Sequence, residues 1–461
     1  MKYISTRGQA PALTFGEAML TGLARDGGLY VPEAITPFSQ AEIAAMAGLP
    51  YEEIAFRVMW PFVESDFTET EFRTCIERAY AGFGHKLRAP LVQIGEEHFV
   101  LELFHGPTLA FKDFAMQLIG QLFQTALARD GRRVTIVGAT SGDTGSAAIE
   151  AFKGLENVDV FILFPEGRVS EVQQRQMTTP DAANIHALAL AGDFDDCQAR
   201  LKDMFNDHVF RDAVGLAGVN SINFARVLAQ VVYYFTSALA LGAPERKVSF
   251  TVPTGNFGDI YAGHIARRLG LPIDRLVMAT NQNDILHRTM VSGEQRKEGV
   301  VPSISPSMDI QVSSNFERAL FEVYDGDGAA ISRLMADLGQ GGFTVAAGPL
   351  AKLRELFGSG RASEEETLAT IAKTYAETGY LLCPHTAVGV KVAEEQPGKG
   401  PMVTLATAHP AKFPDAVEKA SGVRPGLPPR MADLFDRPER VTSVPNDLPA
   451  LEALITERRK S

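Results

Sequence analysis

Apolar and polar positions along the chain change their spacing near residue 90. Before it, apolar positions recur at helical intervals between Pro and Gly breaks, which predicts helices at residues 15–23, 40–46, 51–60 and 70–81. After it, apolar runs predict strands at residues 99–104, 134–138, 158–164, 185–190, 247–252, 275–280 and 401–406. Helical patterns separate most of these strands, and such alternation is typical of parallel α/β layers. We therefore predict an α/β fold that follows a mostly helical N-terminal domain.

Two further helices have recognisable first residues. Asn223 is placed to cap a helix whose apolar positions run from Val227 to Leu239, and Ser363 opens a capping box that leads to about residue 378. Glycine-rich stretches at 339–342 and 358–360 predict loops. From Gly426 onward the chain is interrupted by prolines, so we expect it to wrap the surface.

Composition narrows the possible partners and the compartment. The 461 residues carry 44 Lys and Arg against 56 Asp and Glu, a formal charge of −12, which argues against binding nucleic acid or an anionic membrane. No apolar run reaches the ~18–20 residues of a membrane span, and the first residues lack a secretory signal. Cys75, Cys197 and Cys383 are too widely spaced for a disulfide framework or a metal motif. These features predict a cytoplasmic protein that binds no metal.

The first chemical candidate is Lys112, in a Gly- and Pro-containing turn between a predicted strand and a predicted helix at 115–128. Phe111 and Phe114 flank it. Apolar surroundings disfavour an ammonium group and lower its pKa, which suits an amine that acts as a nucleophile. A lone lysine in such a position is usually solvated, so the interpretation depends on a second motif.

That motif is the turn Gly255, Asn256, Phe257 and Gly258, followed by Asp259, between the strand at 247–252 and a helix at 260–269. Flanking glycines allow backbone N–H groups to converge at a helix N-terminus, which binds phosphate without a cationic side chain. A tight strand–helix connection accounts for such a turn equally well. Combined with the lysine, it indicates a phosphorylated aldehyde cofactor.

Two more segments lie at predicted strand ends. The run from Thr140 through Ser141, Asp143 and Thr144 precedes a helix at 146–155 and offers hydroxyl and N–H groups to a carboxylate or a phenolate-like oxygen. Thr407 ends the strand at 401–406. Since ligands of open α/β sheets bind beyond the carboxyl ends of the strands, we expect all four motifs around one cleft.

These segments, with the runs at 5–8 and 26–32, closely resemble the threonine synthase family in its longer bacterial and fungal form. The resemblance extends from the N-terminus to about Lys419. It implies the two-lobed fold type II of pyridoxal-phosphate enzymes, with parallel or mixed twisted sheets flanked by helices. It also implies that Lys112 binds pyridoxal 5'-phosphate covalently, that residues Gly255 to Asp259 receive its phosphate, and that Thr407 faces the ring nitrogen.

The resemblance further implies a substrate, O-phospho-L-homoserine, whose product is L-threonine. Thr140, Ser141, Asp143 and Thr144 match the loop for the substrate carboxylate, with Asp143 the residue whose role is open. For the substrate phosphate we select Arg226, with Lys412 and Arg168 as further candidates, and we select Asn223, at the cap of the Arg226 helix, as a further substrate-binding residue. An Arg fork matches phosphate better than Lys does. His105 and His409 are interpreted as hydrogen-bonded scaffold residues, and His385 as a residue that lines the cleft.

The expected domains are residues 1–88, a large cofactor-binding unit formed by 89–114 and 216–461, and a small mobile lobe at 115–215. Three rival functions remain: a phospholyase that converts the same substrate to 2-oxobutyrate, a nicotinamide oxidoreductase, and a binding protein without cofactor. No G-x-G-x-x-G follows a predicted strand, which disfavours the second. The intact Lys112 and the glycine loop disfavour the third. The sequence leaves a monomer and a homodimer open.

Overall fold

The computed structural model describes residues 1–129, 131–396, 398 and 400–459. Its strands are β1 (Tyr3–Ser5), β2 (Tyr30–Pro32), β3 (Leu91–Gln93), β4 (His98–Glu102), β5 (Val134–Ala139), β6 (Val158–Pro165), β7 (Ile185–Leu190), β8 (Leu216–Ala217), β9 (Val248–Pro253), β10 (Ile273–Thr280), β11 (Glu294–Arg296), β12 (Gly342–Thr344), β13 (Gly358–Arg361), β14 (Met402–Ala406) and β15 (Thr442–Val444).

The helices are α1 (Phe15–Thr21), α2 (Gln40–Ala44), α3 (Tyr51–Val63), α4 (Glu69–Tyr80), α5 (Lys112–Ala128), α6 (Asp143–Phe152), α7 (Glu171–Thr178), α8 (Phe194–Asn206), α9 (His208–Val214), α10 (Phe224–Ala240), α11 (Gly258–Arg268), α12 (Ile285–Ser292), α13 (Phe316–Val323), α14 (Gly328–Gly339), α15 (Ala347–Leu356), α16 (Glu364–Thr378), α17 (Pro384–Glu394), α18 (Pro414–Ser421) and α19 (Leu448–Arg458). Among the described residues, none of these helices is both long and apolar enough to cross a membrane.

Two sheets organise the molecule. The larger has six strands in the order β13-β10-β9-β14-β4-β3, parallel except for β3, and the smaller has five parallel strands in the order β15-β7-β6-β5-β8. Helices cover both, so the predicted α/β class with parallel and mixed sheets flanked by helices is confirmed. All eight residues of β6 are buried, as expected for a central strand of a parallel sheet covered on both faces.

The seven predicted strands are all present, within about two residues of their expected ends. The Asn223 cap and the Ser363 capping box are also confirmed. In α10 nearly every residue is buried, because this helix is packed between α3, α5 and α11. A helix that is apolar on all sides has its place in a core rather than at a surface.

The N-terminal region packs against the rest of the chain without a break in the hydrophobic core. Its residues Tyr3, Phe15 and Phe62 belong to the same buried cluster as Phe224 of α10. The hydroxyl of Tyr3 donates to the carbonyl of Phe62 at 3.0 Å. Besides the predicted helices, the region contains the short antiparallel ribbon of β1 and β2.

The predicted loop at 358–360 is wrong, because these residues form most of strand β13. Glycine suits this edge strand for a steric reason: a Cβ on Gly360 would lie 2.6 Å from Cγ1 of Val392 in α17. The absence of side chains therefore lets the helix approach the sheet. A sequence pattern cannot distinguish this use of glycine from a flexible turn.

The C-terminal region also departs from the prediction. Strand β15 pairs with β7 of the smaller sheet, and Leu451 and Ile455 of α19 pack into the core beside that sheet. Met431 and Leu434, upstream, are buried against Leu109. Residues 442–458 are therefore part of the smaller lobe, not of a large unit that continues from 216 to 461.

Candidate active site

Three of the four predicted motifs lie at the carboxyl ends of adjacent parallel strands. Strand β14 lies between β9 and β4, with Ala406 opposite Glu102 and Thr404 opposite Thr251. The glycine loop follows β9, Thr407 follows β14, and the turn with Lys112 follows β4. The carbonyl of Thr407 accepts the N–H of Phe111 at 2.8 Å, so Thr407 and Lys112 are close neighbours.

The turn before Lys112 is held by a buried carboxylate. Asp113 accepts the N–H of Thr108 at 2.7 Å and its hydroxyl at 2.8 Å. Burial raises the pKa of Asp113 to about 7. A Cβ on Gly106 would lie 2.4 Å from the Cβ of Asp113, so the turn has no room for a side chain there. This packing fixes Lys112 as the first residue of α5, three residues earlier than predicted.

The amine of Lys112 is in an enclosed environment, with 9% of the residue exposed. Burial lowers its pKa, and the positive charges of Lys412 and Arg226 lower it further, while Asp143 opposes the shift. Its Nζ lies 3.4 Å from Oδ2 of Asp143. The expected burial of Lys112 is therefore confirmed.

Asp143, the first residue of α6, is the electrostatic centre of the site. Its Oδ1 lies 2.7 Å from Nζ of Lys412 and accepts Nε2 of Gln173 at 2.9 Å, and its Oδ2 accepts the hydroxyl of Ser307 at 3.3 Å. Burial alone would raise its pKa, but Lys412 and Lys112 outweigh burial and hold the pKa well below its usual range. Asp143 is therefore ionised, and it links the smaller lobe to the larger one.

Lys412 is fully buried and already paired. Besides Asp143, its Nζ donates to the carbonyl of Thr108 at 2.8 Å. Arg168 is exposed in the turn after β6. Lys412 thus has a carboxylate partner and Arg168 is solvent-exposed, so neither is a buried cation without a partner, as Arg226 is.

The glycine loop begins α11 with the geometry of an anion site. Phe257 has a φ of 63° and caps the helix, so the first N–H groups of α11 lack intrahelical acceptors. The left-handed residue is thus Phe257 and neither glycine. A Cβ on Gly255 would lie 2.7 Å from the carbonyl oxygen of Ser307, whereas one on Gly258 would meet its nearest atom at 3.3 Å. Gly255 is required for close approach, and Gly258 is less constrained.

The side chain of Asp259 is directed toward α10. Its Oδ1 accepts the hydroxyls of Tyr233 at 2.6 Å and Tyr234 at 3.0 Å. Burial raises the pKa of this carboxyl to about 6. The carboxylate of Asp259 is therefore engaged by α10, and the group that this residue offers to the predicted phosphate loop is its backbone N–H.

Arg226 is the strongest candidate for a second anion site. The residue is 3% exposed, its Nη1 donates to the carbonyl of Val219 at 3.3 Å, and its Nε has no hydrogen-bond partner. Within the described residues no carboxylate pairs with it, and burial lowers its pKa to about 10. Asn223, by contrast, caps α10 through Oδ1 and donates Nδ2 to the carbonyl of Met19, so its side chain is engaged in structural contacts.

The polar side chains of the loop before α6 differ in whether they form hydrogen bonds within the protein. The hydroxyl of Thr140 accepts the N–H groups of Gly142 and Gly145, both at 2.9 Å, and so braces the turn. Ser141 and Thr144 are half-buried at the helix start. Within the described residues, the hydroxyls of these two side chains have no hydrogen-bond partner in the protein.

The three histidines selected from the sequence have different surroundings. Nε2 of His105 lies 2.7 Å from a carboxylate oxygen of Glu102, and Nδ1 of His409 accepts the N–H of Ala411, which agrees with scaffold roles. His385 is buried and accepts the N–H of Ser307 through Nε2, which leaves Nδ1 as an unpartnered donor. Burial lowers the pKa of His385 to about 4, so its ring is neutral near pH 7.

Sequence reasoning missed two residues of this network, Gln173 and Ser307. Both bond to Asp143, and Ser307 also contacts Gly255 and His385 through its backbone. Neither belongs to a glycine-rich turn or follows a predicted strand. Only the Ser170 cap of α7 gives a local signal near Gln173.

No group of three or more metal-ligating side chains occurs within residues 1–129, 131–396, 398 and 400–459. The site instead combines a buried amine, a helix N-terminus suited to phosphate, and a separate buried guanidinium. These residues fit a phosphorylated aldehyde cofactor together with a second anion.

Comparisons with known proteins agree with the site. Residues 85–336 match the family model described as pyridoxal-phosphate dependent enzyme, residues 2–80 match threonine synthase N terminus, and residues 386–455 match threonine synthase, C-terminal. Threonine synthase from Pseudomonas aeruginosa is 54% identical, over 99% of this chain and 98% of that protein.

Solved structures give the same result. The structure of pyridoxal-phosphate-bound threonine synthase from Brucella melitensis is 56% identical, with a TM-score of 0.98 over 100% of both chains. Threonine synthase from yeast is 39% identical, with a TM-score of 0.93 over 99% of this chain and 98% of that one.

The fold and the site thus define a pyridoxal-phosphate-dependent enzyme of fold type II, a lyase by its relatives. Within that class, the chain belongs to the threonine synthase family.

Proposed function

We propose that this protein converts O-phospho-L-homoserine and water into L-threonine and phosphate. Family membership supports this reaction. Within the site, the supporting observation is that Arg226 is buried and has no carboxylate partner among the described residues. A buried cation without a counter-ion is costly, so the site is suited to an anion at that point. This anion is distinct from the cofactor phosphate, for which the start of α11 offers a place. Two phosphate positions match a phosphorylated cofactor and a phosphorylated substrate.

We assign the cofactor contacts to the residues that fit them. Lys112 would bind the aldehyde, and the backbone from Gly255 to Asp259 would hold the phosphate. Thr407 would meet the ring nitrogen, where a hydroxyl cannot give up a full proton as a carboxylic acid does. The ring then stays largely neutral, which suits eliminations. When bound, pyridoxal phosphate supplies an electron-withdrawing ring that stabilises negative charge on the substrate carbons.

Lys112 is assigned the proton transfers. Burial lowers the pKa of Lys112, which makes the neutral amine easier to form, and Nζ would then take the Cα proton and return it. Across the reaction, a proton leaves Cβ and one is added at Cγ, where phosphate departs. Water gives its hydroxyl to Cβ, and its remaining proton leaves with the phosphate. All atoms are thereby balanced without an oxidant or a reductant.

Asp143 is assigned to position the amine. Its carboxylate lies between Lys112 and Lys412 and stays ionised, so it fixes Nζ while its charge is balanced by Lys412. The N–H groups at the start of α6, with the hydroxyls of Ser141 and Thr144, would bind the substrate carboxylate. Thr140 and Asn223 hold these segments in place through their structural hydrogen bonds.

We also propose that the smaller lobe moves as a unit. We assign to it residues 115–217 and 442–458, since β8 and β15 both pair within the smaller sheet. The Asp143–Lys412 ion pair crosses between the lobes, which supports closure that excludes water during elimination. The cytoplasm remains the proposed compartment, supported by three buried free thiols.

The test begins with the cofactor. Purified protein should absorb visible light, and borohydride should fix one pyridoxyl group to Lys112, as located by peptide mapping. With O-phospho-L-homoserine the enzyme should then release threonine and phosphate in equal amounts. Label on another lysine would overturn the assignment of Lys112. Formation of 2-oxobutyrate in place of threonine would instead identify a phospholyase.

A further inference from the structure

A cavity of about 360 Å³ lies behind the glycine loop, outside the residues assigned to catalysis. The ribbon of β11 and β12 forms one side, α14 a second, and residues 312–317 a third. Its walls are mainly apolar, formed by Leu29, Ile222, Phe316, Met335, Leu338 and Phe343. This volume lies within the range of small-molecule sites, and mixed apolar walls with few polar groups are typical of them.

The charges of the cavity leave one cation in excess. Arg7 and Glu317 form an ion pair at 3.1 Å, and Thr6 donates its hydroxyl to the same carboxylate. The remaining charged lining residue is Lys297, which is exposed and has no acidic partner within the described residues. Val312 at the rim is 43% exposed despite being apolar. Apolar walls with one unpaired ammonium at the mouth complement a molecule that has an apolar body and a single carboxylate.

The cavity shares a wall with the segment that supports the glycine loop. Ser313 donates its hydroxyl to the carbonyl of Gly255 at 2.6 Å. Asn315 donates its N–H at 3.1 Å and its Nδ2 at 2.9 Å to the carbonyl of Asn256. The ring of Phe316, a wall residue, lies 5.2 Å from the ring of Phe257. An occupant that moves this wall therefore moves the groups that orient the loop.

We propose that this cavity binds small apolar monocarboxylates and thereby changes the affinity of the glycine loop for the cofactor phosphate. Binding itself is independent of catalysis. The coupling rests on the proposed function, since it assumes that the loop holds that phosphate. Coupling of this kind is reciprocal, so the cofactor must change the affinity for the carboxylate by the same factor.

The binding experiment uses calorimetry on the holoenzyme with 4-methylpentanoate as the probe. We expect saturable binding, and about fivefold weaker binding of the neutral 4-methylpentanamide, since an exposed charge pair contributes a factor of this order. L-Leucine and 4-methyl-2-oxopentanoate have the same apolar body and carboxylate. Comparing the Kd values of the three ligands shows whether the cavity prefers an amino acid, a keto acid or a simple fatty acid.

Two glycines provide a matched pair of variants. Gly339 lies at the cavity and Gly348 lies away from it, and a Cβ on either would meet no atom within 4 Å. Gly339→Leu should weaken binding of 4-methylpentanoate by about tenfold or more by covering the mouth, whereas Gly348→Leu should leave it unchanged. Lys297→Gln should weaken it by about fivefold and Lys297→Arg should retain it.

Absence of saturable binding by the wild type, or equal binding by Gly339→Leu, would overturn the site. Coupling is measured as the apparent Kd of pyridoxal phosphate with and without saturating 4-methylpentanoate. We expect a change of about twofold or more in the wild type and none in Gly339→Leu. An unchanged Kd in the wild type would overturn the coupling. Failure to form threonine would contradict the proposed function and leave the binding result unaffected.

Discussion

Buried charged groups in the site differ in whether they have a partner within the protein, and this difference distinguishes structural residues from residues available to a ligand. Lys412 and Asp143 neutralise each other, and Asp259 is bound by two tyrosines. Arg226 is the cation among these buried groups that has no carboxylate partner within the described residues. Since a partner lowers the cost of a buried charge, the group without one is where a ligand adds most.

Arg226→Ala should lower kcat/KM for O-phospho-L-homoserine by roughly 30-fold to several thousand-fold, the usual effect of removing one partner of a desolvated charge pair. Cofactor content should remain at one per chain, because the cofactor phosphate is assigned to the start of α11. Steady-state kinetics and the visible spectrum measure both quantities. Arg168→Ala is the control, since Arg168 is exposed. A loss below about threefold in Arg226→Ala would remove Arg226 from the substrate site.

Asp259→Asn should retain the cofactor and change the pH dependence of stability. The folded pKa is about 6 against a usual 3.8, so the folded state holds its proton more tightly and loses stability as pH rises through this interval. The variant avoids that loss. Its stability relative to wild type should therefore increase from pH 4 to pH 7.5, by up to about 3 kcal/mol at 1.36 kcal/mol per pKa unit.

Urea unfolding at both pH values measures the change. Comparing two pH values cancels the difference between an amide and a carboxylate as acceptors for Tyr233 and Tyr234. Loss of the cofactor in Asp259→Asn, at a pH where the protein remains folded, would show that the carboxylate does contact it.

Individual elements contribute mainly through how closely they approach one another. The glycine loop joins β9 to α11, and the carbonyl oxygen of Ser307 lies against Gly255 in this loop. Helix α17 packs closely against strand β13 because Gly360 has no side chain. At both places glycine is required because another element occupies the space of a Cβ, and φ at Gly255, Gly258 and Gly360 is not in the left-handed region.

Gly255→Val should abolish cofactor retention, because the added side chain displaces the loop from the Ser307 carbonyl, 2.7 Å from the Cβ position. Gly258→Val should have a smaller effect, since its nearest neighbour at 3.3 Å is the amide of Asn315. Cofactor content after dialysis and circular dichroism measure retention and folding. Gly348→Val, in open space, is the control. Equal retention in both loop variants would place the phosphate elsewhere.

At the scale of the whole molecule, a buried ion pair connects the regions of the two larger sheets. Asp143 comes from the smaller lobe, while Lys112 and Lys412 lie at the strand ends of the larger sheet. The C-terminal helix α19 packs on the smaller lobe, so a chain segment far from its other residues in sequence stabilises it. Contacts between α6 of the smaller sheet and the strand ends of the larger one therefore form part of the site.

Asp143→Asn should open the smaller lobe. Removing one partner of a buried pair leaves Lys412 and Lys112 uncompensated, which costs about 3–5 kcal/mol. Amide hydrogen exchange of α6 and α7 should become faster, while exchange of β9 and β10 stays unchanged. The double variant Asp143→Asn with Lys412→Met should recover part of the protection, because it removes the unpaired charge as well.

Glu97→Gln is the control for this experiment, since Glu97 pairs with Arg246 at the surface. Its exchange should match the wild type. Unchanged exchange of α6 in Asp143→Asn would show that the ion pair does not hold the lobes together.

Local patterns determined the elements and the main motifs of this protein. Runs of apolar residues identified the seven principal strands, and caps identified α10 and α16, because these signals depend on a few consecutive residues. Lys112 and the glycine loop were recognisable for the same reason, and the family followed from the combination. Their burial and proximity agree with the expectation from strand ends.

Only the tertiary structure decided which polar groups remain for ligands. Three residues that were reasonable candidates by position are engaged by partners distant in sequence. Asp259 is bound by Tyr233 and Tyr234. Asn223 donates to Met19, and Lys412 pairs with Asp143. Gln173 and Ser307 entered the site without any motif, and residues 442–458 joined the smaller sheet. A hydrogen bond or ion pair between remote residues leaves no periodicity or spacing in the chain, so it becomes visible only once the strands are in register and the lobes are packed.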